Sequence, residues 1–382
     1  MKRITHIYQV ILSFIFIGLI SIPLIYESFT KSKDALISKM ENRMLARRPQ
    51  LNLTNLDSYP AAYEKFYNDH FFGRYELIHF NTLLAGYYLF NRSPVPREVA
   101  FGSNGWLYTT NKEREVYDGR YNLPNDYVEA MAAELNERAA EYRKLGITFY
   151  VTVVPMKCEI YPEFLPTYYT HSLKPTFTDR VMAVLKKDSL YHLIDLKDAL
   201  LDAKKTGEVY YRTDNHWNGL GAWYAYSFII NRIRLDFPTI KPLERSDFTF
   251  SDYRYAAGNL ATLAGLQHFI KELIFLPHPL HPRAQETSKF GYRPPPLFGY
   301  PAEYEVVRSI PDNSLPRIVV IRDSFFAPLI GLLSENFSRS VYIFDAWKYG
   351  PNYDIVLNEK PDIVLLEIFE PNLQNILSSY AR

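Results

Sequence analysis

The sequence predicts an α/β domain built on a doubly wound parallel β-sheet, and three apolar runs carry that prediction. Ile147 to Val154 reads ITFYVTVV, Arg317 to Ile321 reads RIVVI, and Ile363 to Ile368 reads IVLLEI. Near-continuous β-branched and aliphatic runs of this length mark strands buried on both faces, as in a parallel sheet covered by helices. Strands with one wet face would alternate apolar and polar instead.

The segment ahead of that domain reads differently. Ile7 to Tyr26 is a run of twenty residues without a formal charge. As a helix rising about 1.5 Å per residue it would span roughly 30 Å, the hydrocarbon thickness of a bilayer. Lys2 and Arg3 precede it and a long domain follows, which predicts the N-terminus inside and the domain outside. No small-x-small cleavage site follows, because the chain continues PLIYESFTKSKD. An uncleaved signal-anchor is therefore expected, ahead of a removed signal peptide or a buried helix. The expected division is an anchor over 1–27, a polar stalk over 28–57, a helical and short-strand part over 58–122, and the α/β domain over 123–382.

The remaining elements follow in chain order. Ser58 to Phe90 is rich in aromatics at helical spacing and closes at SPVP. Ser103-Asn104-Gly105 reads as a turn, followed by a strand from Trp106 to Tyr108. Asp126 to Leu145 is an amphipathic helix stopped by Gly146. A helix over Asp179 to Lys187 and a short strand from Tyr191 to Leu193 come next. Gly219 to Asn231 is expected to be a helix with Trp223, Tyr224 and Phe228 on its apolar side. Pro277 to Pro296 is proline-rich and predicts a long surface loop or lid. Ser340 to Phe344 completes the set of strands.

Composition limits the function. The 43 basic and 42 acidic residues nearly cancel, which gives no electrostatic reason to expect a nucleic acid partner, since that would need a concentrated basic face. The 31 Tyr and 25 Phe suit either a carbohydrate-binding groove or a tyrosine-rich core. Cys158 is the sole cysteine, which rules out an intrachain disulfide and a thiolate metal cluster.

Two polar stretches can carry chemistry. In RIVVIRDSFF, Ser324 lies just past the C-terminal end of a buried strand, where α/β sheets gather their catalytic groups. Nearby backbone N–H groups there can meet an oxyanion. The competing reading is a helix N-cap formed by Asp323 and Ser324. In TDNHWNGLGA, Asp214 and His216 stand two residues apart before a helix. A serine hydroxyl needs a base near neutrality, which histidine supplies, and a carboxylate can fix that histidine's tautomer. A capping aspartate and a histidine packed beside Trp217 are the alternatives. Asp-x-His offers only two metal ligands and no HExxH is present, so no metal is expected.

Seven segments in order then resemble one family. They are ENRMLARRP, YNDHFFGRYELI, GSNGWLY, VPMKCEIYPEFLP, TDNHWNGLGA, IRDSFFAPLI and PDIVLLEI. This series is similar to the AlgX/AlgJ-type SGNH-hydrolase-like acetyltransferases, which include DHHW-related proteins and act on exopolysaccharides. The resemblance implies an SGNH-hydrolase-like sheet, with Ser324 as nucleophile, His216 as general base and Asp214 as the residue orienting it. It departs from the family in having Arg322-Asp323-Ser324 for Gly-Asp-Ser and Asp214-Asn215-His216-Trp217 for Asp-His-His-Trp. Arg322 becomes a candidate substrate-binding cation or a salt-bridged side chain. Lys157 and Tyr161 are expected on the rim where substrate arrives, and Asn259 is either an oxyanion donor or a helix cap.

The activity so implied is serine-type O-acetyl transfer to hydroxyls of a cell-surface or exported polysaccharide, with no bound cofactor. The acetyl donor would come from a partner or a small acyl ester, and a membrane-bound O-acyltransferase is the partner expected. The domain would face the periplasm or cell surface from a bacterial cytoplasmic membrane. Two other classes fit the same residues: a carbohydrate acetylesterase, and a non-catalytic polysaccharide-binding scaffold of an export complex.

Overall fold

The structure, a computed structural model, describes residues 10–18, 21, 44–52, 55–71, 73, 74, 77, 80, 98–187, 190–296 and 298–378. The chain divides into one unit of Met1–Val95 with Ala261–Phe269 and a second of Pro96–Leu260 with Ile270–Arg382.

In the first unit, helix is described over 10–18 and at 21, and again over Tyr59–His70. Among the described residues no helix is long and apolar enough to cross a membrane. This corrects the transmembrane helix expected over Ile7 to Tyr26. The helix described over 10–18 accounts for a rise of about 14 Å, under half of a bilayer's hydrocarbon core. The single-pass membrane location, and an anchor holding the chain beside a membrane-bound O-acyltransferase, are corrected with it. The other residues of the expected span, and most of the stalk and of 72–97, lie outside the described residues. The Tyr59–His70 helix starts with Pro60 in its first turn and stacks its aromatics along one side, Tyr59 on Tyr63 and Phe66 against His70.

The second unit opens with a small hairpin, β1 (Val99–Phe101) and β2 (Leu107–Thr109). A helix over Asn125–Lys144 then leads into β3 (Thr148–Val154), with Gly146 between them at φ 75°, a conformation free of strain only for glycine. The helix Phe177–Leu185 begins with a capping box between Thr176 and Asp179. It is followed by β4 (His192–Asp195), a helix over Lys197–Ala203 and the long helix Gly219–Ile233. A separate two-stranded sheet pairs β5 (Phe248–Ala256) with β6 (Glu272–Pro279). The chain closes with β7 (Gln285–Glu286), β8 (Glu305–Ser309), β9 (Arg317–Arg322), β10 (Arg339–Phe344) and β11 (Ile363–Phe369).

Seven strands make the main sheet, in the order β4-β3-β11-β9-β10-β8-β7. The first five are parallel to their neighbours, and β8 and β7 add an antiparallel edge. Alternate residues of each central strand go to opposite faces. Tyr150, Val320 and Leu365 join one buried cluster with Ala225, Ile229 and Ile233 of the Gly219–Ile233 helix. Val151, Val319 and Leu366 join the other with Met131, Leu135 and Val181. Burial of each such side chain is worth about 1.5–3 kcal/mol, so both faces of the sheet contribute. Most of the described tyrosines enter these cores, Tyr142, Tyr150, Tyr210 and Tyr226 completely.

Two local expectations are corrected. The proline-rich stretch does not form one long loop, since Pro277 and Pro279 lie in β6 opposite Phe250 and Phe248. A two-stranded sheet has open edges, where a residue without an N–H does no harm. Phe228 does not face the core: it is 45% exposed, while Trp223 is buried against Phe248.

Candidate active site

The ends of the parallel strands bring together residues far apart in the chain. Strand β9 runs from Ile318 to Arg322 inside the sheet, and the backbone then turns sharply into a short 3-10 helix over Ser324–Leu329. Asp323 caps this turn, its Oδ1 accepting the Phe325 N–H at 2.8 Å. Ser324 is thereby presented just beyond the strand end, half-buried.

The opposing wall is the segment Tyr210 to Trp217, a tight hairpin closed by a bridge between those two residues and by Tyr211 N–H donating to His216 O at 3.2 Å. Residues 212–215 form its tip. His216 Nε2 lies 2.8 Å from Ser324 Oγ, and its Nδ1 lies 2.6 Å from Asp214 Oδ1. This network assigns the Nδ1–H tautomer, leaving Nε2 to accept the serine proton. Asp214 Oδ1 also accepts the His216 N–H at 3.0 Å, and Oδ2 accepts the Asn259 N–H at 2.7 Å.

Electrostatics favours a basic histidine. Burial opposes the imidazolium, but the charge and hydrogen bond of Asp214 outweigh it and raise the His216 pKa. Burial likewise opposes ionisation of Asp214. The charge and hydrogen bond of His216, with the N–H groups of Asn259 and His216, outweigh that and lower its pKa. The Phe325 ring packs 4.5 Å from the imidazole and holds it from one side.

The other predicted residues lie elsewhere. Lys157 is not on a rim but 1% exposed. Its ammonium donates to Leu107 O at 2.7 Å and to Arg212 O and Asp214 O at 2.9 Å, fastening the hairpin to β2. Burial lowers its pKa to about 7, against the charges of Glu272, Asp214 and Glu113. Three carbonyl partners use all three N–H groups of the ammonium, leaving none for a substrate. Tyr161 is also buried, stacked on Trp106 with its hydroxyl accepting the Val209 N–H. Arg322 points into the protein, donating to Asp323 O and Glu303 O with its guanidinium over the Phe344 ring. Buried in this way it is not an available substrate cation, and among the described residues it makes no direct ion pair. The exposed carboxamide of Asn259 pairs with Asn215, so this residue meets the triad through its backbone N–H.

Three glutamates went unread in the sequence. Glu272 takes the N–H groups of Arg212 and Thr213 and the Thr213 hydroxyl, bracing the hairpin beside Asp214. Glu367 accepts the Asp323 N–H at 2.8 Å from within the sheet. Glu113 is buried near His216 and Lys157, and burial raises its pKa to about 7 against the charges of those two residues. Only Glu367 had a visible signal, a lone acid inside IVLLEI. Gly258 fits closely too, because a Cβ there would lie 2.4 Å from Thr213 O.

An open groove of about 690 Å³ borders the hairpin. Tyr211, Arg212, Thr213 and Phe275 line it, with Asn104 and Lys271 at its edges. Among the described residues, no group of three His, Cys, Asp or Glu side chains is placed to hold a metal ion.

A serine, a histidine and an aspartate are thus joined by hydrogen bonds at the ends of parallel strands, where an SGNH-like α/β fold can carry its site. The sequence profile described as "SGNH hydrolase-like domain, acetyltransferase AlgX" matches residues 99–307, and the chain belongs to that family. The match includes Asp214 and His216 and ends before Ser324. The chain is similar to the "Probable alginate O-acetylase AlgJ" of Pseudomonas aeruginosa, 27% identical over 234 residues, covering 60% of this chain and 55% of that protein. It thus spans about half the length of that relative. Among solved structures, Bacillus cereus PatB1 with a sulfonyl adduct is similar at TM-score 0.53 and 16% identity, over 72% of this chain and 95% of that one. A DHHW family protein from Eubacterium siraeum is similar at TM-score 0.51 and 16% identity, over 75% of this chain and 98% of that one. At these identities the two structures share the fold.

Proposed function

We propose that this protein is a serine-type O-acetyltransferase that moves an acetyl group to the hydroxyls of an exported or cell-surface polysaccharide through a Ser324 acyl-enzyme. The observation carrying this reading is the unbroken chain of hydrogen bonds from Ser324 Oγ through His216 to Asp214, at 2.8 and 2.6 Å. A scaffold has no need of that relay.

The chemistry proceeds in two halves. His216 Nε2 takes the Ser324 proton as Oγ attacks the carbonyl carbon of an acyl ester, and Asp214 stabilises the resulting imidazolium. The Ser324 N–H, at the start of its turn, is the backbone donor we assign to the oxyanion. His216 then protonates the leaving alkoxide and the acetyl group remains on Oγ. A sugar hydroxyl enters, gives its proton to His216 and attacks the acetyl carbonyl; the bond to Oγ then breaks, His216 returns the proton to Oγ, and the acetyl ester is formed. We assign the acceptor to the groove beside the hairpin, where aromatic rings and planar polar side chains suit a sugar's alternating faces. No bound cofactor is required, and the donor we propose is a small activated acyl ester.

Incubation with an activated acetyl ester, with and without oligosaccharide, tests this by intact mass. We expect an added acetyl group that is lost in Ser324→Ala, and transfer to the sugar in preference to water. Hydrolysis unaffected by any acceptor would move the assignment to an acetylesterase, and no adduct in the native protein would sink the acyl-enzyme altogether.

A further inference from the structure

The acid in IVLLEI stands out once the strands are in place. Glu367 sits in β11, 0% exposed, between β3 and β9. One of its oxygens, Oε2, accepts the Asp323 N–H at 2.8 Å. The other, Oε1, meets no hydrogen-bond donor among the described residues. Asp323 contrasts with it. Its two oxygens collect three donors, the Phe325 N–H at 2.8 Å, the Tyr349 hydroxyl at 2.8 Å and the Phe369 N–H at 3.1 Å. The Asp323 and Glu367 side chains also interact directly.

Two buried carboxyls side by side cannot both carry charge at modest cost. The groups facing them are Arg322 from the end of β9, His216 from the hairpin, and Tyr349 from the loop after β10. Thr152, opposite Glu367 on β3, does not titrate and gives its hydroxyl to Ile194 O. Burial raises the pKa of both acids, so at most one of them ionises readily, and the donor count assigns that charge to Asp323. A carboxylate with a bare buried oxygen forfeits solvation that a carboxylic acid does not need.

We propose that Glu367 is a neutral carboxylic acid that serves as a positioning residue for the nucleophile, holding the Asp323 N–H and sharing its proton with the Asp323 carboxylate so that the turn presenting Ser324 is fixed from inside the sheet. Burial, and then the Asp323 charge, raise the Glu367 pKa well above its ordinary value, in keeping with the geometry. The linkage has a definite sign. An unfolded chain releases the Glu367 proton near 4.5 while the folded protein retains it, so this residue lowers stability progressively as pH rises above that point.

Glu367→Gln is the test, because an amide copies the neutral acid and cannot titrate. In the full chain, Tm should fall less between pH 5 and pH 8 in Glu367→Gln than in the native protein. In a native-minus-variant infrared difference spectrum at pH 7, which cancels the band that Glu113 contributes with its pKa of about 7, one protonated-carboxyl band should remain. Ester turnover should stay within about threefold of native, while Glu367→Ala, which leaves the Asp323 N–H without an acceptor, should lose about tenfold or more. Equal Tm slopes, no protonated band in that difference spectrum, or a glutamine variant as impaired as the alanine one would each overturn the proposal. The turnover arm rests on the acyl chemistry proposed above. The stability and infrared arms do not, so a failure of that chemistry is distinguishable from a failure of this inference.

Discussion

The two sides of the candidate site are built in opposite ways. The serine side belongs to the sheet: Ser324 follows β9 directly, and Asp323, Glu367 and Tyr349 fix its turn from a fully buried network. The histidine side is a hairpin whose base, Tyr210 and Trp217, is buried in the core, while its turn is held by polar side chains reaching in from elsewhere. Lys157 fastens its carbonyls, Glu272 its N–H groups, and the Asn259 backbone its carboxylate. A nucleophile set on a strand end inherits the rigidity of the sheet. A base set on a hairpin depends on individual polar contacts, each of which can be removed alone.

That contrast orders the expected effects. On the acyl-enzyme route proposed above, replacing either reacting side chain removes the chemistry, so Ser324→Ala and His216→Ala should each lower turnover of an acetyl ester by about a thousandfold or more. Intact-mass analysis of the acyl adduct checks this, and both variants should keep the native Tm within a few degrees. Asp214→Asn comes next, with a loss of about a hundredfold to ten-thousandfold. Its pH profile is more telling than its size. His216 must be neutral to accept a proton, so activity rises with pH through its raised pKa. Without the Asp214 charge that raise is removed, and the acid limb should move to lower pH. A limb that stays in place would mean Asp214 acts on the hairpin's shape rather than on the base.

Lys157→Met tests whether the hairpin relies on its fastenings. Three carbonyls lose a charged donor, at about 1–3 kcal/mol for each buried group left unsatisfied. A drop in Tm of roughly 5–10 °C is expected, together with a lower kcat at unchanged KM. An unchanged KM matters here, because a substrate-binding lysine would raise it.

These side-specific effects match what could be read in the chain. The parallel strands were legible because a strand buried on both faces has to be apolar along its whole length, as ITFYVTVV, RIVVI and IVLLEI are. Ser324 followed from the same rule, being the first hydroxyl past a strand end. Asp214 and His216 stood out by their spacing and their place before a helix, but a capping aspartate and a packed histidine fitted the same residues, and only the family resemblance favoured a triad. Lys157 and Arg322 misled for a shared reason: a cation near a strand end resembles a ligand contact, and nothing local reveals whether three carbonyls wait for it inside. Glu272 lies 59 residues from Thr213, and such pairings leave no periodic trace. Pro277 and Pro279 misled in another way, because proline excludes a central strand but not an edge.

Asn259 offers the smallest and most discriminating prediction. Among the described residues its carboxamide bonds only to Asn215 across the lip of the hairpin, whereas its backbone N–H supports Asp214. Alanine keeps the N–H and deletes the carboxamide. If Asn259 acts only through its backbone, Asn259→Ala loses one exposed hydrogen-bonded pair, worth about 1 kcal/mol or less, and turnover should fall no more than about threefold. An oxyanion donor is a different case, since its removal costs about a hundredfold to a thousandfold in kcat. The two expectations differ by more than tenfold, well outside the scatter of a steady-state assay with an activated ester. A hundredfold loss would mean that the carboxamide swings away from Asn215 when substrate binds, making the hairpin tip a moving part of the site. A threefold loss would leave oxyanion stabilisation to the serine side, with the hairpin contributing the base alone.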